Sequence, residues 1–262
     1  MMRIFAPPVP QVPRYARDDI RMKRLIVTAD DVGLDRGMTA GAIEAHRRGI
    51  VTACSIVANG REFDDAVTRL REHPTLEVGV HLTLVEEKAL TTGEPMPRNW
   101  MRFLFSRFGD IEGELRLQIE RVLASGLRVT HLNGHQHLHQ LPRVARIVRR
   151  LAAEYGIGYV RSVNDRGGRR RGIAMAILNR LGDRNRNTIG VAESGHLNTE
   201  RILELLDCVE GVTELITHPG IGVTGYSHWA YNWEAETRAL CDPAVRQAVA
   251  AKNIELTGPS RL

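Results

Sequence analysis

A (β/α) barrel, closed or incomplete in the manner of a distorted TIM barrel, is the fold class this sequence predicts, with the active site at the C-terminal ends of the strands. Three observations point to it. Short β-branched apolar runs alternate with helical periodicities along nearly the whole chain, which implies a parallel α/β sheet covered by helices. About six to eight such units fit within the 262 residues, a length suited to one barrel. Acidic and imidazole side chains recur where the expected strands end, the face on which such barrels carry their chemistry. A doubly wound open sheet is the competing fold. No GxGxxG follows the first strand, which removes the simplest dinucleotide site.

Residues 1–22 hold Pro7, Pro8, Pro10 and Pro13, and lack a long apolar core ending in a small-residue cleavage site. They read as a flexible N-terminal extension before a single domain over 23–262, with Met22 as an alternative start. Residues 25–29 are apolar and β-branched, as in a buried parallel strand. That run passes into Asp30, Asp31, Val32 and Gly33, and a helix is expected over 37–48. Residues 51–58 and 77–84 repeat the strand signature around a helix over 63–72. His81 there faces away from Val78, Val80, Leu82 and Leu84.

From 85 to 109 the periodicity lapses among prolines and aromatics, Trp100 included, as in a lid or binding loop. A helix over 112–125 stops at Gly126, and a strand over 128–132 leads into a histidine-rich stretch. His131, His135, His137 and His139 are four of the chain's ten histidines, all at odd positions. They would share one face of an extended backbone. Next come a helix opening at Pro142, a strand over 157–163 containing Arg161, and a basic, Gly-rich insertion over 164–187. A short helix is expected inside the insertion, over 173–181. A helix over 199–208 capped by Asn198 and a strand over 212–217 ending at His218 follow. The last elements are a helix over 238–252, broken at Asp242 and Pro243, and a strand over 254–256.

Composition sets limits on function. Hydrophobic residues make up 43% and charged residues 26%, as in ordinary soluble globular proteins. No apolar run approaches the ~18 residues of a membrane span, so none is expected. Cys54, Cys208 and Cys241 are odd in number and form no CxxC pair, which argues against a disulfide framework and for a reducing, cytoplasmic setting. The net charge of +5 owes much to arginine, with a cluster at Arg166, Arg169, Arg170 and Arg171. It joins no nucleic-acid motif, and aromatics are only 5%, so a solvated loop is expected and no nucleic-acid partner. A homodimer is the expected assembly.

The strand ends together supply Asp30 and Asp31, His81, the histidine cluster and His218. One carboxylate with two neutral imidazoles can hold a divalent cation that keeps a position open for water. Such a cation acidifies the water and polarises a carbonyl. A second carboxylate can take the proton, and a further histidine can serve the leaving group. The residues alone leave open which bond is hydrolysed.

Four stretches narrow it: Thr28–Gly33, Gly79–Leu82, Thr130–His139 and Thr217–Pro219. Together with residues 49–52 and 58–60 they resemble the motif blocks of the YdjC-like carbohydrate deacetylases, in the same order, between about Lys23 and Gly220. That family includes chitooligosaccharide deacetylases and the hopanoid-associated HpnK proteins. The resemblance implies removal of an N-acetyl group from an acetamido sugar. It implies Asp31, His81 and His135 as ligands of one divalent metal, zinc or magnesium, with Asp30 as general base. His218 would be the general acid or the group that steadies the oxyanion. His137, Arg161 and Asn59 are further candidates for contact with the acetylated sugar, and Trp100, Tyr226, Trp229, Tyr231 and Trp233 for stacking on it. The chain departs from the family at Val32, where Phe is usual, and at Asn133, where Asp is common. Two alternatives stand beside this reading: metal-assisted hydrolysis of another bond, such as a phosphoester meeting the arginine cluster, and a non-enzymatic sugar-binding protein on the same barrel.

Overall fold

A computed structural model describes residues 22–106, 109–165, 173–182 and 187–262. The extension expected over 1–22, apart from Met22, and the arginine cluster at 166–171 lie outside the described residues.

Eight strands form one all-parallel sheet: β1 (Lys23–Val32), β2 (Ala53–Ile56), β3 (Glu77–Leu82), β4 (Val129–Gly134), β5 (Tyr159–Val160), β6 (Asn187–Ile189), β7 (Val212–Thr217) and β8 (Ile254–Leu256). Their order is β5-β4-β3-β2-β1-β7-β6, with β8 paired to the start of β1. Leu25 pairs with Thr213 on one side and Leu256 on the other, so β8 lies on the β2 side of β1. The sheet curls into an incomplete barrel. Among the described residues β5 and β6 share no ladder, and a single parallel bridge between Asp165 and Thr188 spans the gap. The barrel expectation therefore holds in its incomplete form.

Nine helices among the described residues surround the sheet: α1 (Arg36–Arg48), α2 (Phe63–Arg71), α3 (Trp100–Phe105), α4 (Ile111–Ala124), α5 (Pro142–Glu154), α6 (Ile173–Leu181), α7 (Thr199–Leu206), α8 (Trp233–Leu240) and α9 (Pro243–Ala251). Strand alternation sorts β1 into two faces. Leu25, Val27 and Ala29 join Ala42, Leu115, Val148 and Leu205 in the main apolar core. Thr28 and Asp30 instead meet Glu214, Arg161 and Ser55 in the barrel interior. The interior is polar, and the apolar core lies between sheet and helices.

Two glycines bring α1 against the segment that follows β7. A Cβ on Gly41 would fall 2.3 Å from the Gly220 nitrogen, and one on Gly37 would fall 2.6 Å from the Ile221 carbonyl oxygen. No side chain fits at either place, so these glycines fix the seat of the loop that begins at His218.

Three expectations are corrected. The segment 85–109 is not wholly irregular, since α3 forms inside it with Asn99 capping Arg102 N. Strand β6, which was not expected, begins at Asn187, the last residue of the expected insertion. The histidine stretch is not extended throughout. It leaves β4 at Gly134 and turns through a 3-10 segment, His135–Gln140, with Gln136 and His137 at φ 49° and 56°. Those left-handed residues end the period-two alternation, so the four imidazoles do not share a face.

Candidate active site

The C-terminal end of β1 carries two adjacent carboxylates that regular pleating would point to opposite faces. A register shift between Ala29 and Val32 marks a bulge there, and Asp31 takes φ 66°. Such a backbone, sparsely populated by non-glycine residues, costs of order 1–3 kcal/mol and persists where surrounding contacts demand it. Here it brings both carboxylates to the same imidazole. His81 Nε2 lies 3.2 Å from Asp31 Oδ1, and His81 Nδ1 lies 3.9 Å from Asp30 Oδ1.

His81 stands near the end of β3, and His135 directly follows β4. His135 Nδ1 lies 3.0 Å from the same Asp31 Oδ1. Asp31, His81 and His135 are all buried, and their ligand atoms lie within 4.8 Å of one another. Asn133, on the strand before His135, accepts from His81 Nδ1 at 2.7 Å and donates to Asp30 Oδ1 at 3.0 Å. That hydrogen bond places the His81 proton on Nδ1 and leaves Nε2 as the lone-pair nitrogen beside Asp31. A carboxylate at 133 could accept from His81 equally well, but it would repel Asp30.

Burial alone would raise the Asp31 pKa, yet the His135 and His81 imidazoles outweigh it and hold the carboxyl well below the usual range. Burial would likewise lower His135, but Asp31 and then Glu86 raise it to about 10. One carboxylate and two imidazoles converging in a buried pocket form a donor set that fits a divalent cation.

Asp30 belongs to a different network. Arg161 is 1% exposed, and its Nη1 and Nη2 donate to Asp30 Oδ2 and Oδ1 at 2.5 and 2.9 Å. Its Nε and Nη2 donate to Glu214 Oε1 at 3.0 and 2.8 Å. Tyr159 and Thr28 hydroxyls complete Glu214 at 2.8 and 2.7 Å. Desolvating each of these ions costs several kcal/mol, which only a fully satisfied network offsets. Burial pushes Asp30 up, but Arg161 first, then His81 and His218, together more than reverse this and keep it ionised well below the ordinary carboxylate range. Arg161, expected at the sugar, is enclosed beneath Asp30 and positions it. Asp30 Oδ1 also accepts from Ser55 at 2.8 Å, whereas Oδ2 takes only Arg161 and keeps a lone pair free of the hydrogen bonds described.

His218 follows β7, with Nε2 3.8 Å from Asp31 Oδ2 and its ring edge-on to Tyr231 at 5.4 Å. Burial holds its pKa below the usual imidazole value, so the ring is neutral. Its backbone N–H donates to buried Glu236 on α8 at 2.6 Å, and burial pushes that carboxyl up to about 8. Trp229 stacks on His135 at 5.3 Å and approaches Tyr231 at 5.6 Å, forming an aromatic rim over both histidines. Tyr226 is buried instead, with its hydroxyl on Glu87.

The remaining candidates scatter. His131 lies in the barrel interior, its ring filling the place a Cβ on Gly79 would take. His139 Nε2 contacts the Arg161 carbonyl at 3.1 Å, and His137 sits beside His139 at 6.2 Å. Burial pushes all three down, His131 to about 4 and His139 to about 3. Asn59 donates to the Lys88 carbonyl and accepts from Thr83, tying the loop after β2 to the chain beyond β3. Four residues at the site went unnoticed in the sequence. Glu214, inside the apolar β7 run, had a readable signal: a lone acid on a strand face needs a buried partner. Ser55, Glu86 and Glu236 had none.

Comparison with known proteins agrees along most of the chain. A family model described as YdjC-like protein matches residues 24–251. A carbohydrate deacetylase of Geobacillus stearothermophilus is 29% identical over 244 residues, covering 88% of this chain and 94% of that protein. A carbohydrate deacetylase of Brevibacillus brevis is 42% identical over 142 residues, 51% of this chain and only 57% of that relative's length. Among solved structures, an Enterococcus faecalis V583 protein provisionally assigned to cellobiose-phosphate cleavage superposes with TM-score 0.74 at 25% identity, covering 92% of this chain and 98% of the other. A family 4 carbohydrate esterase from Streptomyces lividans, solved with acetate, gives TM-score 0.51 at 14% identity over 91% and 95% of the two chains, a likeness of fold alone.

Proposed function

Because this chain belongs to the YdjC-like protein family, we propose that it is a metal-dependent hydrolase that removes an N-acetyl group from an acetamido sugar and releases acetate. One observation carries the reading: a buried Asp31, His81 and His135 donor set with ionised Asp30 beside it. The names of the two deacetylase relatives support the substrate class. A divalent cation bound there, zinc or magnesium, would acidify a water and polarise the amide carbonyl. Two imidazoles favour zinc, since magnesium prefers oxygen donors.

The chain's own residues supply the rest. Asp30, held ionised by Arg161, accepts the water's proton through Oδ2. A base this weak takes the proton only from a water that the cation has already acidified. His218, neutral through burial, presents a single N–H to the developing oxyanion or to the leaving nitrogen. Trp229 and Tyr231 offer apolar faces to a sugar ring, as aromatic side chains do in carbohydrate sites. His137 remains a candidate for substrate contact at the turn after β4. Asn59 and Arg161 act in this scheme by holding other groups in place.

A panel assay tests the reading. The protein should release acetate and a free amine in equal amounts from at least one N-acetylated sugar, and no phosphate from sugar phosphates. Phosphate release without acetate would favour phosphoester hydrolysis. Sugar binding without turnover would favour a non-enzymatic role. Among the described residues no helix is long and apolar enough to cross a membrane.

A further inference from the structure

We propose that Glu86 is a positioning residue that fixes which nitrogen of His135 faces the cation, and that it makes the segment after β3 part of the metal centre. The proposal rests on the three-ligand reading above and extends it to a residue outside that set. Glu86 lies four residues beyond the end of β3 with φ 69°, a left-handed conformation uncommon for glutamate. Its contacts explain why that conformation is kept. Its N–H donates to the Pro97 carbonyl at 2.9 Å, Oε2 lies 3.3 Å from His135 Nε2, and Oε1 accepts from Gln136 Nε2 at 3.0 Å. Gln136 Oε1 in turn accepts from the Trp100 N–H at the start of α3, at 2.9 Å.

His135 is thereby held on three sides. Asp31 lies at Nδ1, Glu86 at Nε2, and Trp229 over the ring face. A neutral imidazole has one N–H and one lone pair. Both ring nitrogens face a carboxylate here, Asp31 at Nδ1 and Glu86 at Nε2. A cation held by Asp31 and His81 would take the Nδ1 lone pair, and Glu86 would keep the single remaining N–H on Nε2. Carboxylates placed in this way behind a ligating histidine fix its tautomer and strengthen it as a donor. Gln136, at φ 49°, is tied into the same arrangement. Its side chain bridges Glu86 to α3, so the turn after β4 and the aromatic segment beyond β3 hold the same carboxylate.

The test is cation affinity, measured on chelator-stripped full-length protein titrated with Zn²⁺ against a chromophoric competing chelator. Glu86→Gln keeps size but removes the charge. Glu86→Gly removes the side chain and relieves the left-handed backbone. Both should bind one Zn²⁺ roughly 10- to 100-fold more weakly than the unmodified protein, with unchanged far-UV circular dichroism. Gln136→Ala should lose less. Wild-type affinity in both Glu86 variants would overturn the role of Glu86 and leave the three-ligand site standing. An unmodified protein that takes up no Zn²⁺ would overturn the site and this proposal together.

Discussion

Asp30→Asn is expected to lower turnover by roughly 100- to 10,000-fold, the range associated with losing a general base, while bound cation stays at the wild-type stoichiometry. The change is nearly isosteric and removes the proton acceptor. It should spare the cation, because the imidazole nitrogens of the donor set converge on Asp31 Oδ1 at 3.0 and 3.2 Å, whereas Asp30 approaches only His81 Nδ1, at 3.9 Å. The variant also weakens the Arg161 pair, so some stability is lost, although Glu214 still faces the guanidinium. Rates are therefore to be normalised to folded, metal-bound protein. Loss of the cation in this variant would mean that the roles of the two aspartates are exchanged.

Arg161→Met should destabilise the fold by about 3–5 kcal/mol, because removing one partner from a buried ionic network strands the others. Asp30 and Glu214 would both lie in the barrel interior without a cation, at 2% and 1% exposure. Each is too enclosed to recover its loss by hydration. The Asp30 pKa should rise as well, since burial would then act unopposed by its principal counter-charge. Urea denaturation measures the first effect directly. Unchanged stability with a raised KM would identify Arg161 as a substrate contact instead, as its place in the sequence suggested. Adding Glu214→Gln to Arg161→Met should return part of the lost stability, because one stranded charge is removed.

These expectations depend on features that differ in how far the sequence disclosed them. Local rules were legible. Asn198 caps its helix by accepting from Arg201 N at 2.8 Å, Gly126 takes φ 78° after α4, and Pro142 opens α5. The strand ends that gather Asp30, Asp31, His81, His135 and His218 were legible too, because parallel strands in a barrel end on one face. What escaped was set by tertiary contacts. Nothing in Asp30-Asp31 announces a bulge, yet without it the two carboxylates would diverge. The histidine stretch read as one extended face, and the left-handed turn at Gln136 and His137 gives its members separate tasks. Strand β6, three residues long, is too short for a period to register. Glu86 lies in a segment without periodicity, where a side chain's role follows from what the fold places against it.

The central claim is that a cation held by Asp31, His81 and His135 enables amide hydrolysis on a sugar, and cation depletion tests it most directly. Protein stripped by a chelator should release no acetate from an N-acetylated sugar that the untreated protein cleaves. Activity should return in proportion to added Zn²⁺ or Mg²⁺ and saturate at one equivalent bound. Acetate release that persists after complete stripping would contradict the account.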